Sequence, residues 1–330
     1  MSRAFRFDCA SVWLSYLVYS AVAAPVPALN EPHYLAKAKH YWQPAWCAGD
    51  AFLESADAHV VFFATLGWFT TWCALPVAAW IGRGIGLAVL AYGWTTLAQR
   101  LTETAWAGVT SVWLFLTLAA CGNWSGEWLV GGVESKVITY GLLFYAWAKL
   151  ADGQWTTCAA ACGIGTAFHP VVGIWGVLAT GMAAVVLRWR KVITLPSWMT
   201  LFSAGAVFVV LSLPGMIPVL RIVLAPVDES TRYAATYLQV FYRLGHHLDP
   251  MIFPVRAYAG YAVLTLVWIV AAVRGPRSPR WFWLHGITAA SLLFALCGLV
   301  DWSKHNPQNG DHSGQRQYDE HRTGGEQGHP

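Results

Sequence analysis

The sequence predicts an all-α protein, built as a polytopic bundle of membrane helices. Of its 330 residues, 56% are hydrophobic and only 12% are charged, whereas charged residues make up roughly a quarter of an average soluble protein. The apolar residues are gathered into long runs, and a run of about 20 residues is long enough for a helix to cross a bilayer. Tryptophan, which favours the membrane interface, occurs 20 times and often flanks these runs. The expected surroundings of the chain are therefore membrane lipids.

About ten apolar segments are candidates for membrane spans. The first ends in small residues, as a cleaved signal peptide would. We favour a retained first span, because Pro25 would crowd the cleavage site and the apolar run continues beyond it. The candidate segments are 9–29, 58–82, 84–98, 105–120, 136–150, 155–168, 171–187, 197–213, 256–273 and 281–300.

These segments divide the chain into a predicted transmembrane bundle, 1–302, and a polar remainder, 303–330. The remainder has no apolar periodicity, and such composition is typical of disorder. Two polar stretches interrupt the bundle, at 30–59 and 214–255, and both are predicted to be outer loops that contain interfacial helices. The second is longer than a connector requires, which is typical of a functional loop.

The positive-inside rule predicts the orientation of the bundle. Counting spans outward from the last two basic clusters places Glu134 and His169 on the non-cytoplasmic side, and counting from the N-terminus places Glu31 there too. The two counts conflict once, because an odd number of crossings is needed between Arg83 and Glu134, where two apolar runs are present. The basic groups expected on the cytoplasmic side are Arg3 with Arg6, Arg83, 188–191 and 274–280.

Glu134, Lys136 and His169 stand at the ends of apolar runs, where ionisable groups can remain partly hydrated. Lys136 could neutralise a lipid phosphate, or it could be an interfacial lysine that snorkels. Glu134 lies two residues before it, and on one helix such side chains point in different directions, so we expect no pair between them. His169 precedes Pro170 and could bind a phosphate oxygen or move a proton. The alternative is a histidine bonded to the carbonyl that the proline leaves unpaired.

The two outer loops supply the other candidates. Glu31 could act as a general base, or it could be an acid that interacts favourably with the dipole of an interfacial helix. Arg232 could stabilise a departing phosphate or anchor a lipid headgroup. His246, His247 and Asp249 are grouped closely enough to contact a substrate, but their spacing is no established metal signature, so no metal site is predicted.

The cysteines and the charge pattern argue against several other classes of protein. Seven cysteines include no CxxC pair, which argues against a zinc site or a thioredoxin-like centre. Cys158 and Cys162 share one helix face and are interpreted as packing residues. The basic residues form short clusters that fit membrane topology, so nucleic acid is not an expected partner. No cofactor follows from the sequence.

Two stretches resemble known families. ESKVITYGLLFYAWA and GIGTAFHPVVGIW, within 134–175, together with LGHHLDP at 244–250, resemble a family of uncharacterised bacterial polytopic membrane proteins. NEPHY at 30–34 resembles, in layout, the first outer loop of the GT-C glycosyltransferase superfamily. The first resemblance implies a bacterial inner-membrane protein and brings no established activity. The second implies an enzyme that transfers sugar from a polyprenyl-phosphate donor at the outer face, with Glu31 as base. Many superfamily members have paired acids there, whereas here Asn30 and Pro32 flank Glu31.

Two other classes stay open. A transporter would use Glu134, Lys136 and His169 to line a solute or proton path, although the chain shows no convincing internal repeat of the kind common in transporters. A non-catalytic membrane protein is the third class. It would fit a truncated family member, because the bacterial family continues with apolar segments where this chain becomes polar.

Overall fold

A computed structural model describes residues 2–28, 30–121 and 128–305, and every regular element within these ranges is helical. The all-α prediction is thus confirmed for this part of the chain. A π-helix (Leu238–Arg243) and two 3-10 helices (Leu66–Thr71, Pro250–Ile252) accompany the α-helices. The α-helices are α1 (Arg3–Ala23), α2 (Glu31–Trp42), α3 (Ala51–Glu54), α4 (Val60–Ala64), α5 (Leu75–Thr102), α6 (Ala107–Ala120), α7 (Ser135–Ala151), α8 (Trp155–Phe168), α9 (Pro170–Trp189), α10 (Trp198–Val223), α11 (Glu229–Tyr237), α12 (Gly245–Leu248), α13 (Val255–Arg274) and α14 (Pro279–His305).

Four helices among the described residues are long and apolar enough to cross a membrane: α5, α9, α10 and α13. This number is smaller than the ten spans predicted, because several apolar segments form shorter helices; α6 and α8 have 14 residues each and α7 has 17. The predicted segment 58–82 is divided between α4, a 3-10 helix and the start of α5, where Pro76 occupies the first turn.

Other predicted boundaries also differ. The predicted loop 214–255 begins inside α10, which continues through Pro214 to Val223. The predicted polar tail begins inside α14, which continues to His305. The rest of the tail, 306–330, lies outside the described residues.

Contacts between helix ends define one end of the molecule, which we call the basic end. Asp8, in α1, accepts hydrogen bonds from the backbone of Gly108, at the start of α6, and from the side chain of Gln99, near the end of α5. Arg100 forms an ion pair of 3.1 Å with Asp152, just after α7. The basic end therefore holds the start of α1 and α6 and the end of α5 and α7. The opposite end, which carries α2 and residues 128–134, is called the loop end.

Two glycines bring α5 and α7 into backbone contact. A Cβ added to Gly93 would overlap the carbonyl group of Gly141, and one added to Gly141 would lie 2.6 Å from the carbonyl oxygen of Val89. Small residues at such a crossing let two helix backbones approach closely. This contact fixes α7, and hence Lys136 in its first turn, against α5.

Arg83 resolves the conflict in the span count. It lies in the third turn of α5, and its side chain is buried against Glu31 at the loop end. Grouping Arg83 with the basic clusters was therefore wrong. After Arg83, α5 continues to the basic end and α6 returns to the loop end, so two helices suffice to reach Glu134.

Candidate functional site

Glu31 lies in a buried cluster with Arg83 and Ser20, which we call the hub. Arg83 donates from Nε to Oε1 of Glu31 over 2.7 Å and from Nη2 to Oε2 over 2.8 Å. The backbone N–H groups of Ala28 and Val133 donate to the same two oxygens, over 2.8 and 2.7 Å. The side chains of Glu31 and Arg83 are both fully buried. Four donors thus satisfy a carboxylate that has no access to water.

The remaining guanidinium nitrogen ties the hub to α1. Nη1 of Arg83 donates to the carbonyl oxygen of Ala24 over 2.6 Å and to Oγ of Ser20 over 3.2 Å, and Ser20 donates from its hydroxyl to the carbonyl of Gly131. The hub therefore joins the end of α1, the start of α2, α5 and residues 131–133. A general base needs a lone pair directed at its substrate, and this geometry gives Glu31 a structural role instead.

A cavity of about 930 Å³ lies beside the hub at the loop end. One part of its wall is aromatic and aliphatic, and the other part is polar. Glu134, Lys136 and His169 all line it, as predicted for one wall of a site, whereas Glu31 does not. The apolar wall includes Trp94, Phe115, Tyr140, Phe144, Val172 and Leu264, and the polar wall includes Asn30, Tyr34, Glu134, Lys136 and His169.

Glu134 and Lys136 form an ion pair, so the prediction that they do not pair was wrong. Glu134 lies just before α7 in an extended conformation (φ −144°, ψ 155°), and the helical spacing of side chains does not apply to it. Its Oε2 lies 3.1 Å from Nζ of Lys136, and its Oε1 accepts from Nδ2 of Asn30 over 2.6 Å. Nζ of Lys136 also lies 4.6 Å from the centre of the Trp128 ring, a cation–π contact. The polar wall thus presents a positive charge held on one side by a carboxylate.

His169 connects α8 to α9 and caps α9. Its Nδ1 accepts a hydrogen bond of 3.3 Å from the backbone N–H of Val172, which leaves the proton of the neutral ring on Nε2. Burial lowers the pKa of His169 to about 3, with further contributions from His59 and Lys136. The ring is therefore neutral at physiological pH and can donate from Nε2, for which the described residues provide no hydrogen-bond partner.

Tyr34, His59 and Asp57 form a hydrogen-bonded group in which Tyr34 lines the cavity and the other two lie behind it. Of the three, only Asp57, an acid of the first predicted outer loop, was a candidate from the sequence. Nδ1 of His59 lies 2.7 Å from Oδ1 of Asp57, and Nε2 lies 3.2 Å from the hydroxyl of Tyr34. The His59 ring also contacts the His169 ring, with centroids 5.1 Å apart. The Asp-Ala-His sequence was the available signal, since a carboxylate two residues from a histidine can orient its ring.

Of the site residues predicted in the second outer loop, 214–255, those with described side chains do not line the cavity. Arg232 is exposed on α11 and does not line the cavity. Asp249 is buried, but its carboxylate accepts from the backbone N–H of Met251 over 3.0 Å and so caps a short turn. The side chains of His246 and His247 lie outside the described part of the structure. Among the described residues, no group of three potential ligands could hold a metal ion.

Comparisons with known proteins add no family to this geometry. No protein-family model matches the chain, and no curated protein or solved structure matches it. The two resemblances therefore stay predictions, and the function is argued from the cavity.

Proposed function

We propose that the protein is a bacterial inner-membrane protein that binds a polyprenyl-phosphate-linked sugar in the cavity at the loop end and transfers the sugar there. The observation that carries this proposal is the division of the cavity wall. An amphiphile with a long apolar chain and a phosphate needs an apolar surface that ends at a cation and at hydrogen-bond donors. Both parts line the cavity, and each is grouped by its own contacts: Lys136 and Asn30 both contact Glu134, and the rings of Phe115 and Phe144 both contact Trp94.

The prenyl chain would lie along Trp94, Phe115, Phe144 and Leu264, which α5, α6, α7 and α13 contribute. Burial of apolar surface contributes roughly 25 cal/mol per Å². A prenyl chain in contact with aromatic side chains would therefore provide much of the affinity.

The phosphate would meet the ammonium of Lys136 and Nε2–H of His169. A charge-assisted hydrogen bond is roughly twice as strong as a neutral one, so Lys136 would dominate recognition of the head group. The neutral His169 ring adds a donor without a second positive charge. In the transfer step, both donors would stabilise the negative charge that develops on the leaving phosphate.

The carboxylate beside the reacting centre would be Glu134 and not Glu31. Glu31 is enclosed by its four donors, whereas Glu134 lines the cavity. Glu134 would hold the ammonium of Lys136 in position for the phosphate, because its Oε2 lies 3.1 Å from Nζ.

A photo-crosslinking experiment tests the binding step. The full chain in lipid nanodiscs is exposed to a prenyl monophosphate with a diazirine on its chain, and the labelled peptides are sequenced. We expect labelling at Tyr140, Phe144 or Leu264. Lys136→Gln should weaken binding roughly 10- to 100-fold, since a hydrogen bond to a charged group is worth about 1.5–3 kcal/mol.

The matched control is Lys149→Gln, which removes a lysine from the same helix near the basic end, where Nζ lies 5.1 Å from the ring of Tyr145. This variant should bind the probe as the wild type does. Equal losses for the two lysine variants, or equal labelling by the phosphate-free prenyl alcohol, would contradict the proposal. Release of prenyl phosphate from a prenyl-phosphate sugar, compared between wild type and Glu134→Gln, then tests the transfer step.

A further inference from the structure

A second, smaller cavity of about 310 Å³ lies on the other side of the polar wall. We call it the outer pocket. It is bordered by α2 and by residues 53–63, and its polar lining includes Lys37, His40, Glu54 and Asp57. Because ionisable side chains line much of it, the outer pocket is suited to hold water and to exchange protons with it.

A chain of hydrogen bonds crosses the wall between the two cavities. Asp57 lines the outer pocket, Tyr34 lines the larger cavity, and His59 lies between them. A carboxylate accepts and cannot donate, so Nδ1 of His59 carries the proton shared with Asp57 and Nε2 is left as an acceptor. The hydroxyl of Tyr34 therefore donates to Nε2 over 3.2 Å.

The groups around His59 keep this arrangement in place. Nζ of Lys37, on α2, lies 3.4 Å from Oδ2 of Asp57. Burial raises the pKa of Asp57, but the hydrogen bonds that it accepts from the ring and the backbone N–H of His59, together with the charge of Lys37, lower it below its usual range overall. From the side of α8 and α9, the His169 ring faces His59, and Lys136 lies near His169. The hydroxyl of Ser135, at the start of α7, lies 3.4 Å from that of Tyr34.

We propose that His59 is the proton acceptor for the ligand of the larger cavity, that Tyr34 transmits the proton to it, and that Asp57 passes the proton on to the outer pocket. This inference rests on the proposed function. It assigns the proton of the acceptor hydroxyl to a path that neither Glu31 nor Glu134 provides.

In the transfer step, the acceptor hydroxyl gives its proton to the oxygen of Tyr34 while the phenolic proton of Tyr34 moves to Nε2 of His59. The electron pair left on the acceptor oxygen forms the bond to the anomeric carbon. The bond from that carbon to the phosphate oxygen breaks, and its electron pair leaves with the lipid phosphate. The imidazolium then releases its Nδ1 proton through Asp57 to water in the outer pocket.

Two measurements on the full chain in nanodiscs test this path. The first is the affinity for farnesyl monophosphate, measured by calorimetric titration. The second is the rate of prenyl phosphate release from a prenyl-phosphate sugar. A residue on the proton path should affect the second measurement and leave the first unchanged.

The variants separate a proton path from a packing role. Tyr34→Phe and His59→Gln should both bind farnesyl monophosphate as the wild type does, while the transfer rate of each falls roughly 10²- to 10⁴-fold. His33→Gln, which removes an exposed histidine from the same helix as Tyr34, should change neither. Thermal unfolding shows that each variant is folded, and His59→Asn replaces His59→Gln if the latter is not.

Two other outcomes would contradict the proton path or the proposed function. If His59→Gln or Tyr34→Phe keeps the transfer rate of the wild type, or if its rate falls only in proportion to a loss of affinity, the path is refuted while the binding function stands. If the wild type does not bind farnesyl monophosphate at all, the proposed function is refuted, and the path falls with it.

Discussion

The hub and the cavity lie side by side at the loop end, and each pairs a carboxylate with a cation. They differ in what else surrounds the pair. In the hub, Glu31 receives four hydrogen bonds and Arg83 is held by α1, so no polar atom of the pair is turned toward a cavity. In the cavity, Glu134 and Lys136 line an open space. Glu31 is thus enclosed by its donors and can only stabilise the fold, whereas Glu134 is left open to a molecule in the cavity.

The largest expected effect comes from breaking the hub. Arg83→Met leaves the carboxylate of Glu31 buried without its cation, and removing one partner of a buried ion pair costs about 3–5 kcal/mol. We expect a comparable decrease in the free energy of unfolding for Glu31→Met. The measurement is chemical unfolding in detergent micelles.

The double variant sharpens this test. Replacing both residues removes both buried charges, so Glu31→Met with Arg83→Met should lose less stability than the sum of the single variants. If Arg83→Met unfolds at the same denaturant concentration as the wild type, the hub does not stabilise the fold, and the contrast with the cavity is lost.

Breaking the pair in the cavity should cost less stability. Glu134→Gln retains an oxygen that can accept from Asn30, and water in the cavity can solvate Lys136, so we expect a decrease of about 1–3 kcal/mol. The same unfolding measurement checks it. A loss equal to that of Arg83→Met would show that the two acids are equally structural, and Glu134 would no longer be a candidate for the reaction.

A smaller effect is expected at the edge of the hub. Ser20→Ala removes the hydroxyl that donates to Gly131 and accepts from Arg83. Nη1 of Arg83 keeps its bonds to the carbonyl oxygens of Ala24 and Ser20, so the net loss is the neutral bond to Gly131. One neutral hydrogen bond contributes about 0.5–1.5 kcal/mol, and the unfolding free energy should fall by that amount. Ser11→Ala is the matched control, because this exposed hydroxyl bonds only its own helix, at the carbonyl of Phe7.

The sequence was sufficient for the helical class, and three of its candidate residues line the same cavity. Glu134, Lys136 and His169 were found because each interrupts or borders an apolar run, and that signal is local. The span count failed because apolar composition does not fix helix length; the predicted segment 58–82, for example, contains α4 and a 3-10 helix as well as the start of α5.

The partners of each charged residue were not predictable from local patterns. Arg83 and Glu31 are separated by 52 positions in the sequence, so neither the burial of Glu31 nor the error over Arg83 could be detected from a window of neighbours. Glu134 and Lys136 are close in sequence, but their pairing depends on where α7 begins. His59 was missed because its role depends on Tyr34 and His169, which arrive from other elements.

The last expected effect depends on pH and concerns His169. Its pKa is lowered from 6.5 to about 3, so below pH 6.5 the unfolded chain binds a proton that the folded chain does not. The folded state should therefore lose stability as the pH falls from 6.5 toward 3. His169→Asn does not titrate, and its side-chain oxygen can still accept from the backbone N–H of Val172. Unfolding of both proteins at pH 7.5 and pH 5 should show a larger decrease for the wild type. Equal decreases would mean that folding does not lower the pKa of His169, and the ring could then carry a positive charge below pH 6.5 in the folded state.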